Sequence, residues 1–516
     1  MNRARTLFRS SVVVIILLGL GKVFGLWRLQ LISNIFGTSS QFDAFTAANQ
    51  LPEVFSTILA SNALAAAFIP VYSAYILKND PQEAERLAST VITIVFTVLG
   101  IVAAVATIFA PWLTAVLLVP DFSPETQRLT AELMRIILLQ TIFFGISNGV
   151  LSSMLQSHQH FALPALAPIA LDIGYLIGIF ALVPRMGIHG LAWGTVISGV
   201  LHILIQMPAF LKLRLRLRVA WEVHLAGVRE MIVLMGPRIV TLGAIQLADL
   251  FIIRFASGLP TGSTSGYFYA YALMQFPETL LGTAVAIVMF PTMAEYFNVG
   301  NIDGMKNTAV KALGIIWTLT IPAAIGMVLL SRPVLVTFLE GGAFTAQSTQ
   351  IVYSVLVVFS VRIVSEATVE IVARLLYAQH DTRTPMFVYI GWFLINLVFA
   401  YLFVVILDWG VIGLAVASTV AFTFLAVVLF IINSRRLSGL GERPLAIVGG
   451  RALLAGGGMA LVILSLGQII SNTLLFLPLA IATGGLAYLL LNVLLGGREL
   501  QETWQLIRSR NQTEVS

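Results

Sequence analysis

The chain has 516 residues, of which 58% are hydrophobic and only 10% are charged, and its mean hydropathy is +0.94. A soluble protein would carry roughly 25% charged residues, so a soluble fold is excluded. The absence of cysteine removes disulfides, cysteine-zinc sites and thiol catalysis. A formal charge of +6 then fits the basic loops of a membrane protein better than a nucleic-acid partner.

In chain order, apolar runs predict transmembrane helices near 10–34, 44–73, 88–116, 129–155, 162–183, 188–211, 233–257, 264–294, 309–330, 347–375, 385–407, 410–433, 446–470 and 473–496. Runs of about 20 apolar residues cross a bilayer as helices. Barrel strands would instead alternate apolar and polar residues over about ten positions, and no such alternation occurs. The expected fold is therefore an all-α polytopic membrane protein with about 14 transmembrane helices. The first run, from about Ser10 to Ile35, is longer than a signal-peptide core and lacks a small-residue cleavage site. It is expected to remain as a span.

Basic residues set the orientation. Arg3, Arg5 and Arg9 precede the first run; Lys212, Arg214, Arg216, Arg218 and Arg229 follow the sixth; Arg435, Arg436, Arg443 and Arg451 follow the twelfth. The tail adds Arg498, Arg508 and Arg510, whereas the opposite loops hold little beyond Arg128, Arg185 and Arg332. The positive-inside rule puts both termini in the cytoplasm.

The chain also repeats itself. Gln50-Leu51-Pro52-Glu53 returns as Gln275-Phe276-Pro277-Glu278, and Ala67-Phe68-Ile69-Pro70 as Val288-Met289-Phe290-Pro291. Gly187-Ile188-His189-Gly190-Leu191-Ala192 returns as Gly410-Val411-Ile412-Gly413-Leu414-Ala415. The offsets of 225, 221 and 223 residues separate each feature from its copy by six spans, an even number that preserves direction. Two parallel six-helix lobes are expected, with a site between them, as in transporters that rock between access states. The divisions are 1–220 for the N-lobe, 221–435 for the C-lobe, 436–500 for two added helices and 501–516 for a cytoplasmic tail.

Charges inside the apolar runs mark the functional candidates, because a charge at bilayer depth costs at least ~2.5–3.5 kcal/mol and faces a partner, a bundle interior or a cavity. Arg28 and Arg254 lie 22 and 21 residues before the repeated glutamines, so they are near-equivalent in the two halves. Each either grips an anion such as phosphate with its two-pronged guanidinium or snorkels to the interface. Lys22 points roughly 120° away from Arg28 on an ideal helix. Arg238 and Asp249 lie nearly on one face, either as part of a cavity or as a self-neutralising network. Arg362, Glu366, Glu370 and Arg374 stand at strict i, i+4 spacing, which either neutralises them along one helix face or leaves a carboxylate to titrate. Glu53 and Glu278 follow the repeated prolines, as hinges with a polar neighbour or as ion-coupling carboxylates. The substrate-binding candidates are thus Lys22, Arg28, Arg254 and Arg238. The ion-coupling or gating candidates are Glu53, Asp249, Glu278, Glu366 and Glu370.

No enzyme constellation accompanies them. There is no Walker A loop, and His158 and His160 occupy a short loop as solvated residues rather than metal ligands. No cofactor and no metal are expected.

The segments Gly21-Lys-Val-Phe-Gly-Leu-Trp-Arg28, Ile35-Phe-Gly37, Phe42-Asp-Ala-Phe45 and Gln50-Leu-Pro-Glu53 resemble the opening of the MurJ/MviN family. Met235-Gly-Pro237, Phe276-Pro-Glu-Thr-Leu-Leu-Gly282, Gly342-Ala-Phe-Thr345 and Asp381-Thr-Arg-Thr-Pro385 follow in the family's order, so the resemblance covers about 8–435. It implies the fold of the multidrug/oligosaccharidyl-lipid/polysaccharide (MOP) exporter superfamily. It further implies flipping of lipid II, a polyprenyl-pyrophosphate-linked peptidoglycan precursor, across the bacterial cytoplasmic membrane by alternating access. A cationic cavity would receive the head group, a groove bordered by the last two helices the lipid tail, and membrane potential or an ion gradient would drive the cycle. The expected partners are the lipid-linked anionic substrate, the bilayer and the cell-wall synthesis machinery, with no nucleic acid. The family usually carries arginine where this chain has Lys22, near Ser56 or Thr57, and at Ala272, and an acidic residue at Leu29. Two alternatives stand beside the flippase: a cation-coupled multidrug or lipid-linked oligosaccharide exporter of the same superfamily, and a non-transporting envelope-assembly scaffold.

Overall fold

The structure, a computed structural model, describes residues 2–499 except 61, 79, 214, 216 and 498. Arg214, Arg216, Arg498, Arg508, Arg510 and the expected 501–516 tail lie outside the described residues. Every regular element among the described residues is helical, beside one isolated bridge between Gly341 and Phe344.

The first half contains α1 (Asn2–Phe36), α2 (Ser40–Phe55), α3 (Asn62–Leu77), α4 (Pro81–Ile108), α5 (Pro124–Phe144), α6 (Ala162–Ile177) and α7 (Ile188–Leu204). After a linker come α8 (Ala226–Ser257), α9 (Ser263–Glu278), α10 (Ala284–Asn298), α11 (Ile302–Phe338), α12 (Ala346–Ala378), α13 (Arg383–Ala400) and α14 (Gly410–Arg436). The last two are α15 (Glu442–Ile469) and α16 (Thr473–Leu494). Local chemistry starts several of them: Ser39, Asp80, Ser123, Asn301 and Thr345 each accept a backbone N–H from the first turn of the helix that follows, satisfying one of its orphan donors.

Eleven described helices are long and apolar enough to cross a membrane, and they fall on eleven of the predicted runs. The run at 10–34 falls on α1 and the run at 44–73 on α2 and α3. The run at 347–375 falls on α12, where the four charges from Arg362 to Arg374 lower the apolarity.

Two π-helical segments follow the repeat. Ser56–Ala60 recurs as Thr279–Thr283, and Gly178–Leu182 as Tyr401–Ile406. Both pairs start 223 residues apart, the same offset as the glycine-rich copies. The first pair lies just past Pro52-Glu53 and Pro277-Glu278. A proline removes a backbone donor from its helix, and the widened turn beyond it takes up the change.

The chain forms two compact units, Met1–Ser265 with Gly341–Phe344, and Gly266–Glu340 with Thr345–Ser516. This packing boundary differs from the repeat boundary near 220, because α8 belongs to the first unit. In that unit Leu87, Phe68, Tyr72, Met154 and Phe210 form a buried core that Val228 and Met231 of α8 join. The turn Gly341–Phe344 docks on the end of α1, where the Ala343 N–H donates to the Asn34 carbonyl at 2.7 Å. Gly342 has φ +55°, and a Cβ there would meet the Asn34 oxygen at 2.2 Å, so only glycine fits. In the second unit the added helices α15 and α16 pack on α11 through Leu330, Met459, Ile463, Ala480 and Tyr488. The Tyr488 hydroxyl donates to the Thr318 carbonyl, pinning α16 to α11.

Candidate functional site

The first unit holds a cavity of about 380 Å³. Arg28 of α1 reaches it, together with Leu171 and Tyr175 of α6. Asn49 and Glu53 come from α2, and Ser56 and Thr57 from the π segment that follows. Gln140 and Phe144 of α5, and Asn148 of the π segment Gly145–Leu151, complete the wall.

Arg28 is held from one side. Its Nη1 lies 3.0 Å from Asp172 Oδ1, and its Cζ stands 4.4 Å from the centre of the Tyr175 ring. Asp172 and Tyr175 are three residues apart on α6 and so share a helix face. The Arg28 side chain is 31% exposed and that of Asp172 only 9%. A guanidinium carries five N–H donors in a planar fork, so one ion pair and one stacked face leave donors for a ligand.

The α2 part of the wall is shaped by the proline step. Glu53 follows Pro52, and the Gln246 side-chain amide of α8 donates to the Glu53 carbonyl at 3.1 Å. That bond satisfies backbone at the bend, as a dry environment demands. The π turn then rotates Ser56 and Thr57 into the cavity. The Glu53 carboxylate is exposed to the cavity, with Asn49 Nδ2 at 3.5 Å from it. The wall thus offers one arginine, one carboxylate and a ring of hydroxyl and amide groups, with a second carboxylate pairing the arginine.

A sequence profile described as "Lipid II flippase MurJ" matches residues 32–483. The chain belongs to the lipid II flippase MurJ family. It is 28% identical to a probable lipid II flippase MurJ of Rickettsia prowazekii over 74% of this chain and 75% of that one. It is 26% identical to lipid II flippase MurJ of Burkholderia cenocepacia over 77% and 78%. In fold it is similar to a solved lipid II flippase MurJ in an inward closed conformation, with a TM-score of 0.79 and 23% identity across 94% of this chain and 98% of that one. It is also similar to an inward-facing multidrug resistance MATE family transporter of the MOP superfamily, with a TM-score of 0.69 and 14% identity over 84% and 99%.

Among the residues singled out from the sequence, the structure brings Arg28 and Glu53 to one cavity in this MurJ-family chain. Lys22 lies half-buried on α1 and Asp249 half-buried on α8, neither in the described cavity wall. Arg238 is exposed on α8. Arg254 donates to the carbonyls of Val116 and Leu117, at the end of the π segment Leu113–Leu118. It therefore neutralises a helix C-terminus rather than mirroring Arg28. In this cavity Glu53 joins Arg28 in the wall, and Asp172 pairs with Arg28.

The second unit holds the remaining candidates. Glu278 is 2% exposed and accepts from the Thr283 hydroxyl at 3.2 Å. Glu366 pairs with Arg362 at 2.8 Å and accepts from Gln275 at 2.8 Å, while Glu370 pairs with Arg374. The ladder closes as two i, i+4 pairs. Ala272 is half-buried on α9.

Sequence reasoning missed Asp172, Tyr175, Gln140 and Asn148. The criterion that selected Arg28, a charge within an apolar run, applies equally to Asp172 and would have found it. Tyr175 and the amides carry no such signal.

Proposed function

We propose that this chain flips lipid II from the inner to the outer leaflet of the bacterial cytoplasmic membrane. Its fourteen spans would have both termini in the cytoplasm. It would work by alternating access as a secondary-type transporter, driven by membrane potential or an ion gradient, and would not be an enzyme. Family membership supports the substrate. The observation that carries the site is Arg28, clamped by Asp172 and Tyr175 on one side and open to a polar cavity on the other. In this reading Arg28 binds the pyrophosphate, and Asn49, Ser56, Thr57, Gln140 and Asn148 meet the sugar-peptide head. Hydroxyls near the usual arginine position keep hydrogen-bonding capacity while lowering charge, so the head group is gripped by fewer cations. Lys22 supports it electrostatically from α1. The test is complementation of a bacterium depleted of its own lipid II flippase, with wild type rescuing growth and Arg28→Ala failing while still reaching the membrane. A wild type that does not rescue sinks the substrate assignment.

A second reading rests on Glu53, a carboxylate in the cavity wall at a bend of α2. There it would couple a proton or sodium ion to export of a cationic drug, as in a MATE-type exporter. Drug-resistance assays under an imposed gradient separate the two: resistance that Glu53→Gln abolishes favours the exporter.

A further inference from the structure

Part of the linker between α7 and α8 lies against α4. Residues 217–222 form no helix or strand there. The Arg218 N–H donates to Ser89 Oγ at 3.2 Å, and the Ala220 N–H to Thr93 Oγ1 at 3.2 Å. Glu222 then pairs with Arg86. Arg86 is the last charged residue of α4, and the helix is uncharged and mostly apolar from there to Ile108. At 1.5 Å per residue, Ser89 and Thr93 lie about 4.5 and 10.5 Å further into that apolar stretch. The chain thus descends to the level of Thr93 and climbs back to Arg86.

The odd-numbered side chains on this dip are apolar and exposed. Val219 is 92% exposed and Trp221 58%, with Leu217 and Val223 also exposed. The backbone N–H groups of residues 218 and 220 donate to hydroxyls of α4, so these two donors need no water where the segment meets a membrane surface. Tryptophan sits by preference at the headgroup boundary of a bilayer, and valine is apolar enough to partition beneath it. Arg218 within the dip and Lys212 and Arg229 on either side of it are exposed.

We propose that residues 217–223 form a re-entrant interfacial anchor, with Val219 and Trp221 inserted into the lipid and Lys212, Arg218 and Arg229 holding anionic phospholipid head groups of the leaflet on that side. Juxtamembrane cations attract anionic lipid in this way, each contributing about a fivefold gain in local partition. The proposal depends on the orientation suggested above only for which leaflet is meant. It involves no transport, so its failure and that of the flippase reading are separate results.

The chain contains no cysteine, so single labels need no background removal. Val219→Cys and, as an aqueous control, Asp303→Cys would each carry a nitroxide in the full chain reconstituted into vesicles of phosphatidylcholine and phosphatidylglycerol. The expected result is a label at 219 that is accessible to oxygen and shielded from a water-soluble nickel chelate, with the opposite at 303. A label at 219 that meets the chelate as freely as the control overturns the anchor, and would be the outcome if the segment were a docking site for a soluble protein. Lipid retained on the purified protein measures the second element. Lys212→Gln with Arg218→Gln should lower the ratio of phosphatidylglycerol to phosphatidylcholine at least fivefold at unchanged depth of label 219. An unchanged ratio overturns the head-group assignment.

Discussion

Arg28 in the first unit and Arg362 in the second are both arginines inside apolar helices, yet their surroundings give them opposite purposes. Arg362 is closed in: its Nε meets Glu366 at 2.8 Å, its Nη1 donates to Ser418 Oγ at 2.7 Å, and its Cζ stands 3.9 Å from the Phe422 ring centre and 5.2 Å from that of Tyr271. Its side chain is 5% exposed, against 31% for Arg28. Every face of Arg362 is spoken for, whereas Arg28 has one carboxylate and one ring on one side and a cavity on the other. An intramembrane cation is therefore a functional signal only where its partners leave part of it unclaimed.

The largest effect that could break this contrast is on stability. Removing one partner of a buried pair leaves the other charge uncompensated, at about 3–5 kcal/mol. Arg362→Met should therefore lower the thermal midpoint in detergent sharply, and Arg362→Met with Glu366→Leu should recover most of it. The double variant should still complement a flippase-depleted strain. Arg28→Ala should cost less, about 1–2 kcal/mol, and yet abolish complementation. A well-folded double variant that fails to complement would move the ladder from scaffold to mechanism and end the contrast.

Conservative changes sharpen it. Lysine keeps the charge of Arg28 but loses the planar fork, so Arg28→Lys should weaken binding of a polyprenyl-pyrophosphate analogue about tenfold, the scale of one lost charge-assisted hydrogen bond. Glu53 and Glu278 make the same point with the opposite sign. Glu53 faces the cavity while Glu278 is 2% exposed and engaged with Thr283. Removing the negative charge at 53 should tighten binding of that anion about three- to tenfold, from a like-sign interaction across a partly watered cavity. Glu278→Gln should leave it unchanged. Transport that collapses in Glu53→Gln while binding holds would favour ion coupling instead.

Much of this was legible in the chain and some was not, for physical reasons. The apolar runs of α4, α5 and α14 announce themselves because a bilayer demands about 20 apolar residues in a row. The Arg362–Glu366 pair could be read because i, i+4 spacing fixes a contact within one helix. The Arg28–Asp172 pair joins α1 to α6, and no local rule specifies which helices meet. Arg254 shows the limit most plainly. Its register within the repeat matches that of Arg28, but α8 packs with the first unit, and the nearest partners there are the carbonyls of Val116 and Leu117. A π segment ending beside α8 decided its purpose, and the duplicated sequence gives no hint of that.

The smallest effect belongs to an arginine pair in water, which completes the series. Asp381, between α12 and α13, accepts from the backbone N–H groups of Arg383 and Thr384 and from the Thr384 hydroxyl, and pairs with Arg436. Burial pushes its carboxyl up, but the hydrogen bonds of Thr384 and then Arg436 outweigh that and hold it down at about 2. The folded value lies below the unfolded one of about 3.9. Its contribution is therefore present above about pH 4 and is lost as pH falls from there toward 2. Asp381→Asn should cost about 1–2 kcal/mol at neutral pH, the scale of a helix cap with a partly exposed ion pair. Thermal midpoints in detergent from pH 5 to 2 should fall more steeply for wild type than for Asp381→Asn, so that the two curves converge at the acid end. Parallel curves would mean that the cap geometry, not the charge, supplies the stability. The pair would then rank with neutral caps and leave the series to the two intramembrane arginines.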